Sequence, residues 1–126
     1  MNGFVSNIEN ETLSNENFRK VLYTGPHSQL VVMTLLPGEE IGAEVHHDID
    51  QFIRVETGVA KTIIDGEETT IGPDYVVVIP AGSEHNIINQ SADEKLRLYT
   101  VYSPAEHADG TIHRTKEEAM EDEHHH

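Results

Sequence analysis

Regularly spaced turn signals constrain the fold of this chain more than any other feature. The signals are the segments Gly25–Pro26, Pro37–Glu40, Asp65–Gly66, Gly72–Asp74 and Pro80–Gly82. The runs between them are short and rich in Val, Ile, Thr and Tyr, and helix propensity is confined to residues 8–18 and 116–123. Such a pattern is typical of an all-β sandwich or barrel. The Asp65–Gly66 pair also fits a tight hairpin turn.

Length and composition limit the possible classes of protein. A chain of 126 residues is long enough for one domain with one core. The absence of cysteine excludes disulfides, thiolate metal sites and a cysteine nucleophile. No apolar run approaches the roughly 18 residues of a membrane span, and the first ten residues lack the basic and apolar regions of a signal peptide. We therefore expect a cytoplasmic protein without a membrane partner.

The charge is strongly acidic. The formal net charge is −15, from 23 acidic residues against 8 lysines and arginines. Such a surface repels nucleic acid, so we expect no nucleic-acid partner. It leaves room for a local basic pocket but makes a highly phosphorylated substrate a less favoured expectation. Part of the charge belongs to the tail from Thr115 onward. The terminal residues His124–His126 are either native or part of a purification tag, and they are left out of the fold argument.

The stretch "GAEVHHDIDQFIRVETG", residues 42–58, carries the first candidate site. Successive side chains of a strand point to opposite faces, so Glu44 and His46 share one face, and Val45 and His47 share the other. A carboxylate beside an imidazole suits a divalent metal, whereas a lone imidazole beside an apolar residue suits a surface. Alternation alone does not decide which face points inward.

A second candidate lies in "PAGSEHNIIN", residues 80–89, where His85 opens a strand directly after a turn. This segment resembles the second motif of the cupin superfamily, which reads Gly, five residues, Pro, one residue, Gly, two residues, His, three residues, Asn. Pro80, Gly82, His85 and Asn89 match it at every spacing. Asp74 stands at the position of the leading glycine.

The earlier stretch resembles the first cupin motif, which reads Gly, five residues, His, one residue, His, three or four residues, Glu, six residues, Gly. Gly58 matches the last position, and Gln51 stands where the family has Glu. His46 then takes the position of the second histidine, and Glu44 that of the first. The four-residue gap before Gln51, together with Glu44 as a possible metal ligand on the same face, selects His46 over His47 as the inward residue.

The resemblance covers residues 30–102 and implies a cupin-type jelly-roll β-barrel, the double-stranded β-helix of small RmlC-like cupins. Such proteins are usually homodimers with one metal inside. We expect an N-terminal arm at residues 1–20, the barrel at 21–104, and a C-terminal loop with a charged, histidine-rich tail at 105–126.

The resemblance, with the residue exchanges, implies one divalent transition metal per chain. Its ligands would be Glu44, His46, Gln51 and His85. Two imidazoles, one carboxylate and one amide favour Fe, Mn, Ni, Co or Zn, with coordination positions left open for a ligand. Gln51 binds either the metal itself, or the substrate or a metal-bound water.

Three functions remain open at this point. The first is a metal-dependent isomerase, lyase or oxygenase acting on a small polar molecule such as a sugar derivative. Family resemblance alone raises the chemistry of mannose-6-phosphate isomerase-like cupins, although a fold does not fix a function. The second is a non-catalytic cupin that senses or stores a small molecule or a metal. The third is a stable barrel with a vestigial site.

Residues that are not candidate metal ligands receive structural interpretations. We expect Asn89 to satisfy backbone groups at a turn, and Arg54 to form a salt bridge or a dimer contact. His107 and His113 follow the last barrel strand. Their segment either folds over the barrel mouth, covers a dimer interface or forms a plain surface loop, and we favour the surface loop because loops are usually exposed.

Overall fold

The computed structural model describes residues 3 to 124, so His125 and His126 of the predicted tail lie outside the described residues. The strands are β1 (Arg19–Thr24), β2 (Gln29–Leu35), β3 (Glu44–Val45), β4 (Asp50–Thr57), β5 (Ala60–Ile64), β6 (Glu67–Ile71), β7 (Val76–Ile79), β8 (Glu84–Asn89), β9 (Leu96–Ser103) and β10 (Ile112–His113). Two short helices, α1 (Ile8–Ser14) and α2 (Lys116–His124), flank them. Neither is long and apolar enough to cross a membrane.

The strands form two antiparallel sheets. One sheet has the order β10-β1-β2-β9-β4-β7, and the other has the order β3-β8-β5-β6. Neighbours in the larger sheet are far apart in sequence, since β2 pairs with β9 and β9 pairs with β4. The predicted all-β jelly roll is confirmed.

The predicted hairpin turn is also present. Ile64 and Glu67 face each other across the β5–β6 pair. Asp65 and Gly66 between them have φ values of 50° and 85°. Two consecutive residues with positive φ are the signature of the tight turn that matches the twist of paired strands.

The apolar core fills one part of the space between the sheets. It is lined mainly by inward side chains of β2, β4, β8 and β9, including Val31, Met33, Leu35, Ile53, Val55, Ile87, Leu96 and Leu98. Towards one end of the barrel, the inward-facing side chains change from apolar to polar. There Gln51 lies opposite Tyr102, and Tyr102 lies opposite Gln29 on its other side. All three are buried, so a polar end of the barrel interior lies beside the apolar core.

Both ends of the chain join the larger sheet. β1 begins at Arg19, just before the range 21–104 expected for the barrel, and β10 pairs with it through Arg19 and His113. Helix α2 follows β10, and its Ala119 is buried. Asn7 caps α1 by accepting a hydrogen bond from the backbone of Asn10.

Candidate metal and ligand site

The orientation of the two adjacent histidines is clear in the structure. His46 is buried and His47 is exposed, which agrees with the predicted facing. The His46 ring lies 5.2 Å from the His85 ring, measured between centroids. Glu44 and His85 are direct partners in the β3–β8 pair. Three of the four predicted site residues are therefore neighbours.

His46 lies between two carboxylates. Its Nε2 is 3.3 Å from Oε2 of Glu44, and its Nδ1 is 3.4 Å from Oε2 of Glu106. Both glutamate side chains are partly accessible, with 27% and 31% of their surface exposed. Glu106 was not predicted as a site residue, because only the folding of a distant loop brings it to His46.

His85 has one ring nitrogen committed to the backbone. Its Nδ1 is 3.0 Å from the carbonyl oxygen of Ser83. A carbonyl can only accept, so Nδ1 carries the hydrogen and Nε2 keeps its lone pair. A hydrogen bond of this kind is what fixes the ring of a metal-binding histidine.

Gln51 is buried on strand β4, and only one of the two polar atoms of its side-chain amide has a hydrogen-bond partner among residues 3 to 124. Its Nε2 donates to Oγ1 of Thr100 at 3.0 Å. Its Oε1 is buried and has no hydrogen-bond partner among residues 3 to 124. Buried acceptors are rarely left unsatisfied, so this oxygen is set up to meet a cation or a donor.

Residues 104–111, named here the mouth loop, close over the polar end of the barrel. Gln29 fixes this loop: its Nε2 donates to the carbonyl of His107 at 2.7 Å, and its Oε1 accepts from the backbone of Glu106 and His107 at 3.2 and 3.0 Å. The His107 ring lies edge-on to Tyr102, 5.3 Å away, and Tyr102 lies edge-on to His46.

Burial sets the protonation of two rings at the mouth. It raises the pKa of the Tyr102 phenol, which therefore stays protonated. Burial, reinforced by the charge of Arg19, lowers the pKa of His107 from 6.5 to about 3. His107 is therefore neutral near pH 7.

The expectation of a plain surface loop after β9 is wrong in part. Ala108, Asp109 and Gly110 are exposed as expected. His113, however, is buried within β10, and Glu106 reaches the site. A cavity of about 320 Å³ lies under this segment, beside the predicted ligands and not among them. We name it the side cavity. It is lined by Arg19, Glu106, His107, Ala108, Thr111, His113 and Asp122.

Two residues outside the site have the roles expected of them. The Nδ2 of Asn89 donates to the carbonyls of Leu35, Leu36 and Glu94, and its Oδ1 accepts from the backbone of Ser91. Arg54 forms ion pairs with Glu56 and Asp74. Neither residue takes part in the contacts around His46.

Comparison with known families agrees with this fold. The family model described as "Cupin domain" matches residues 31–102, more than half of the chain. This chain is a cupin. The cupin match begins inside β2 and ends at Tyr102, so it contains all four predicted ligands but neither Arg19 nor the mouth loop.

Several relatives resemble this cupin along most of its length. The uncharacterised protein L612 of Acanthamoeba polyphaga mimivirus is 46% identical over 86% of the chain, which spans 70% of that relative. The uncharacterised protein YrkC of Bacillus subtilis is 40% identical over 93% of the chain, which spans 66% of that relative. The crystal structure of BH2720 from Bacillus halodurans has a TM-score of 0.92 at 40% identity, with 95% of each chain covered.

The four candidate ligands of this cupin are of chemical types that bind transition metals. His85 and Gln51 each keep one acceptor atom unused, and His46 has Nε2 beside a carboxylate oxygen. The described residues contain no group of three or more His, Asp or Glu arranged closely enough to hold a metal ion.

Proposed function

We propose that this cupin binds one divalent transition metal through Glu44, His46, Gln51 and His85, and offers it to a small polar organic molecule. The observation that carries the proposal is the Oε1 atom of Gln51, which is buried and unpartnered while its amide nitrogen is held by Thr100. Leaving such an acceptor unsatisfied costs about 1–3 kcal/mol. A bound cation would remove that cost.

The hydrogen bonds around the two histidines support the same proposal. If His46 donates from Nδ1 to Glu106, its Nε2 lone pair points towards Glu44. His85 likewise donates from Nδ1, to Ser83, and keeps the lone pair of Nε2. A carboxylate or carbonyl behind each imidazole is the usual support of a metal-binding histidine. Glu106 is then a positioning residue for His46.

The donor types define the metal and its use. Two neutral imidazoles, one carboxylate and one amide suit Fe, Mn, Ni, Co or Zn. When bound, such a metal supplies Lewis-acid stabilisation of an oxygen that gains negative charge in isomerase, lyase or oxygenase chemistry. The chain contributes a protonated Tyr102 phenol next to His46, and a mouth loop that Gln29 holds in place to limit the access of water.

One observation favours a non-catalytic role as the second candidate. The residues at the mouth include no evident free base, because Glu106 contacts His46, Tyr102 stays protonated and the pKa of His107 is about 3. Chemistry that needs a strong proton acceptor would lack one here. A cupin that senses or stores a small molecule at its metal needs no such group.

Metal analysis tests the proposal on protein in which His124, His125 and His126 are replaced by serine. We expect about one transition metal per chain, lost in His46→Ala and in His85→Ala but kept in His47→Ala, the matched neighbour that faces solvent. Gln51→Leu should weaken metal binding, and Gln51→Glu should retain or strengthen it. Full metal content in both His46→Ala and Gln51→Leu would refute the ligand set.

Turnover separates the two candidate functions. The metal-loaded protein is mixed with panels of sugar derivatives and organic acids, and products are followed by NMR. Turnover that disappears in His85→Ala supports the enzyme. Saturable binding without any product, dependent on the same residue, supports the sensing or storage role.

A further inference from the structure

The side cavity contains a buried cation. Arg19 is only 2% exposed, and its Nε is buried without a hydrogen-bond partner among residues 3 to 124. Its Nη1 lies 3.1 Å from Nδ1 of His113. Buried arginines normally have all their donors satisfied, so an unused donor on the wall of a cavity marks a position for a ligand acceptor.

The surroundings of Arg19 fix its orientation. A guanidinium can only donate, so Nδ1 of His113 accepts from it, and the hydrogen of His113 is on Nε2. That Nε2 donates to Oδ2 of Asp122 at 2.9 Å. The guanidinium also lies over the Phe18 ring, 5.3 Å from its centroid. Arg19 is thus held by the His113 imidazole, the Phe18 ring and the nearby phenol of Tyr102.

Most of the remaining polar side chains of the cavity can accept hydrogen bonds, and His107 adds a buried Nε2 without a partner among residues 3 to 124. Thr111 uses its hydroxyl hydrogen on the carbonyl of Ala108, at 2.6 Å, which leaves its oxygen to accept. Glu106 presents a partly exposed carboxylate whose Oε2 is already close to His46. A carboxylate has room for further donors. The cavity therefore combines one cationic donor with several acceptors, which disfavours a ligand that is anionic throughout.

We propose that the side cavity binds a small hydroxy acid, with its carboxylate on the guanidinium of Arg19 and a hydroxyl group donating to Glu106. The volume of about 320 Å³ is at the lower end of small-molecule sites. Planar guanidinium donors match a carboxylate well. The hydroxyl acceptor Glu106 also contacts His46. The inference rests on the proposed function in one respect, since it names the substrate class for that metal centre.

The test measures ligand binding on protein stripped of metal and dialysed free of chelator. Glycolate, L-lactate and D-gluconate are titrated into ¹⁵N-labelled protein, each beside the alcohol of the same skeleton: ethylene glycol, propane-1,2-diol and D-glucitol. We expect at least one acid to bind saturably, with shifts at the Thr111 and His113 amides, and its alcohol to bind at least about tenfold more weakly.

Two substitutions of equal charge locate the site. Arg19→Gln should weaken the binding of that acid by about 30-fold or more, the usual effect of removing one partner of a buried charge pair. Lys20→Gln removes the same charge one residue further on, from the opposite face of β1, and should leave the affinity unchanged. If Arg19→Gln does not fold, Arg19→Lys keeps the charge, and its loss of paired donors should still weaken binding at least about fivefold.

The possible outcomes are distinct. The inference is overturned if no acid binds saturably, if each alcohol binds as well as its acid, or if inorganic phosphate binds more tightly than every acid. It is also overturned if binding survives in the folded Arg19 variant. Because the titration uses metal-free protein, a hydroxy acid that binds while metal analysis finds no site would sink the proposed metal centre and leave this inference standing.

Discussion

Replacing Gly58 by alanine tests how closely the end of β4 is packed against β9. Gly58 has a φ of +96°, which residues with a side chain rarely adopt. A Cβ added there would lie 2.7 Å from the carbonyl oxygen of Lys95 and 2.9 Å from Cα of Leu96. Both are backbone atoms at the start of β9, so neither can move aside as a flexible side chain would.

Two costs add in Gly58→Ala. The positive φ costs about 1–2 kcal/mol for a residue with a Cβ, and displacing the backbone of β9 costs about 1–3 kcal/mol, as overpacking does. The lower entropy of the unfolded chain offsets about 0.4–1 kcal/mol. We expect the free energy of unfolding to fall by about 2–4 kcal/mol, out of the roughly 5–15 kcal/mol of a typical domain.

Urea denaturation followed by circular dichroism measures this loss. The matched control is Gly66→Ala, where φ is +85° but nothing lies within 4 Å of the added Cβ. That variant carries the conformational cost alone and should lose about 1 kcal/mol. Equal losses in the two variants would refute the argument from close backbone approach. A changed m-value in either variant would show that the transition is no longer comparable.

Three further predictions concern the mouth loop and its support. Gln29→Leu removes three hydrogen bonds to the backbone of Glu106 and His107, so we expect about 2–4 kcal/mol lower stability and faster proteolysis in the mouth loop. Unchanged proteolysis would show that Gln29 does not hold it. Asn89→Ala removes hydrogen bonds to the carbonyls of Leu35, Leu36 and Glu94, of which the first is fully buried, and should cost about 1–3 kcal/mol in thermal unfolding without altering metal content; loss of metal would contradict its structural role. The pKa of His107 is lowered to about 3 in the folded protein, so its contribution to stability is complete above pH 6.5 and is lost as pH falls towards 3. In His107→Gln, the free energy of unfolding should fall less steeply with decreasing pH, by at most about 1.4 kcal/mol per pH unit. An unchanged pH dependence of stability would contradict this role of His107.

Local sequence determined the strands and turns well because their signals are local. Asp65 and Gly66 adopt the positive φ values that a two-residue hairpin needs, and these residue types adopt them at low cost. The facing of His46 followed from strand alternation combined with the motif spacing to Gly58. Such features depend on residues near one another in sequence, so a single sequence contains them.

The site could be predicted only as far as the motifs extend. The motif spacing predicted Glu44, His46 and His85 as site residues, and they are neighbours in the structure. Glu106 was missed because its position depends on Gln29, 77 residues earlier in the chain, which accepts a hydrogen bond from its backbone. No periodicity or spacing encodes a contact of that range. The burial of His113 was missed for the same reason, because it depends on pairing with Arg19.

The pairing of β1 with β10 has a consequence for how this kind of protein diversifies. The family signature at residues 31–102 holds every proposed metal ligand, whereas Arg19 and His113 lie on either side of it. The proposed metal site and the proposed hydroxy-acid site are thus encoded largely in separate stretches of the gene. Substitutions confined to Arg19 and the mouth loop would then alter the proposed hydroxy-acid site without touching any proposed metal ligand. A substrate inferred from residues 31–102 alone would therefore leave the buried guanidinium of Arg19 out of account.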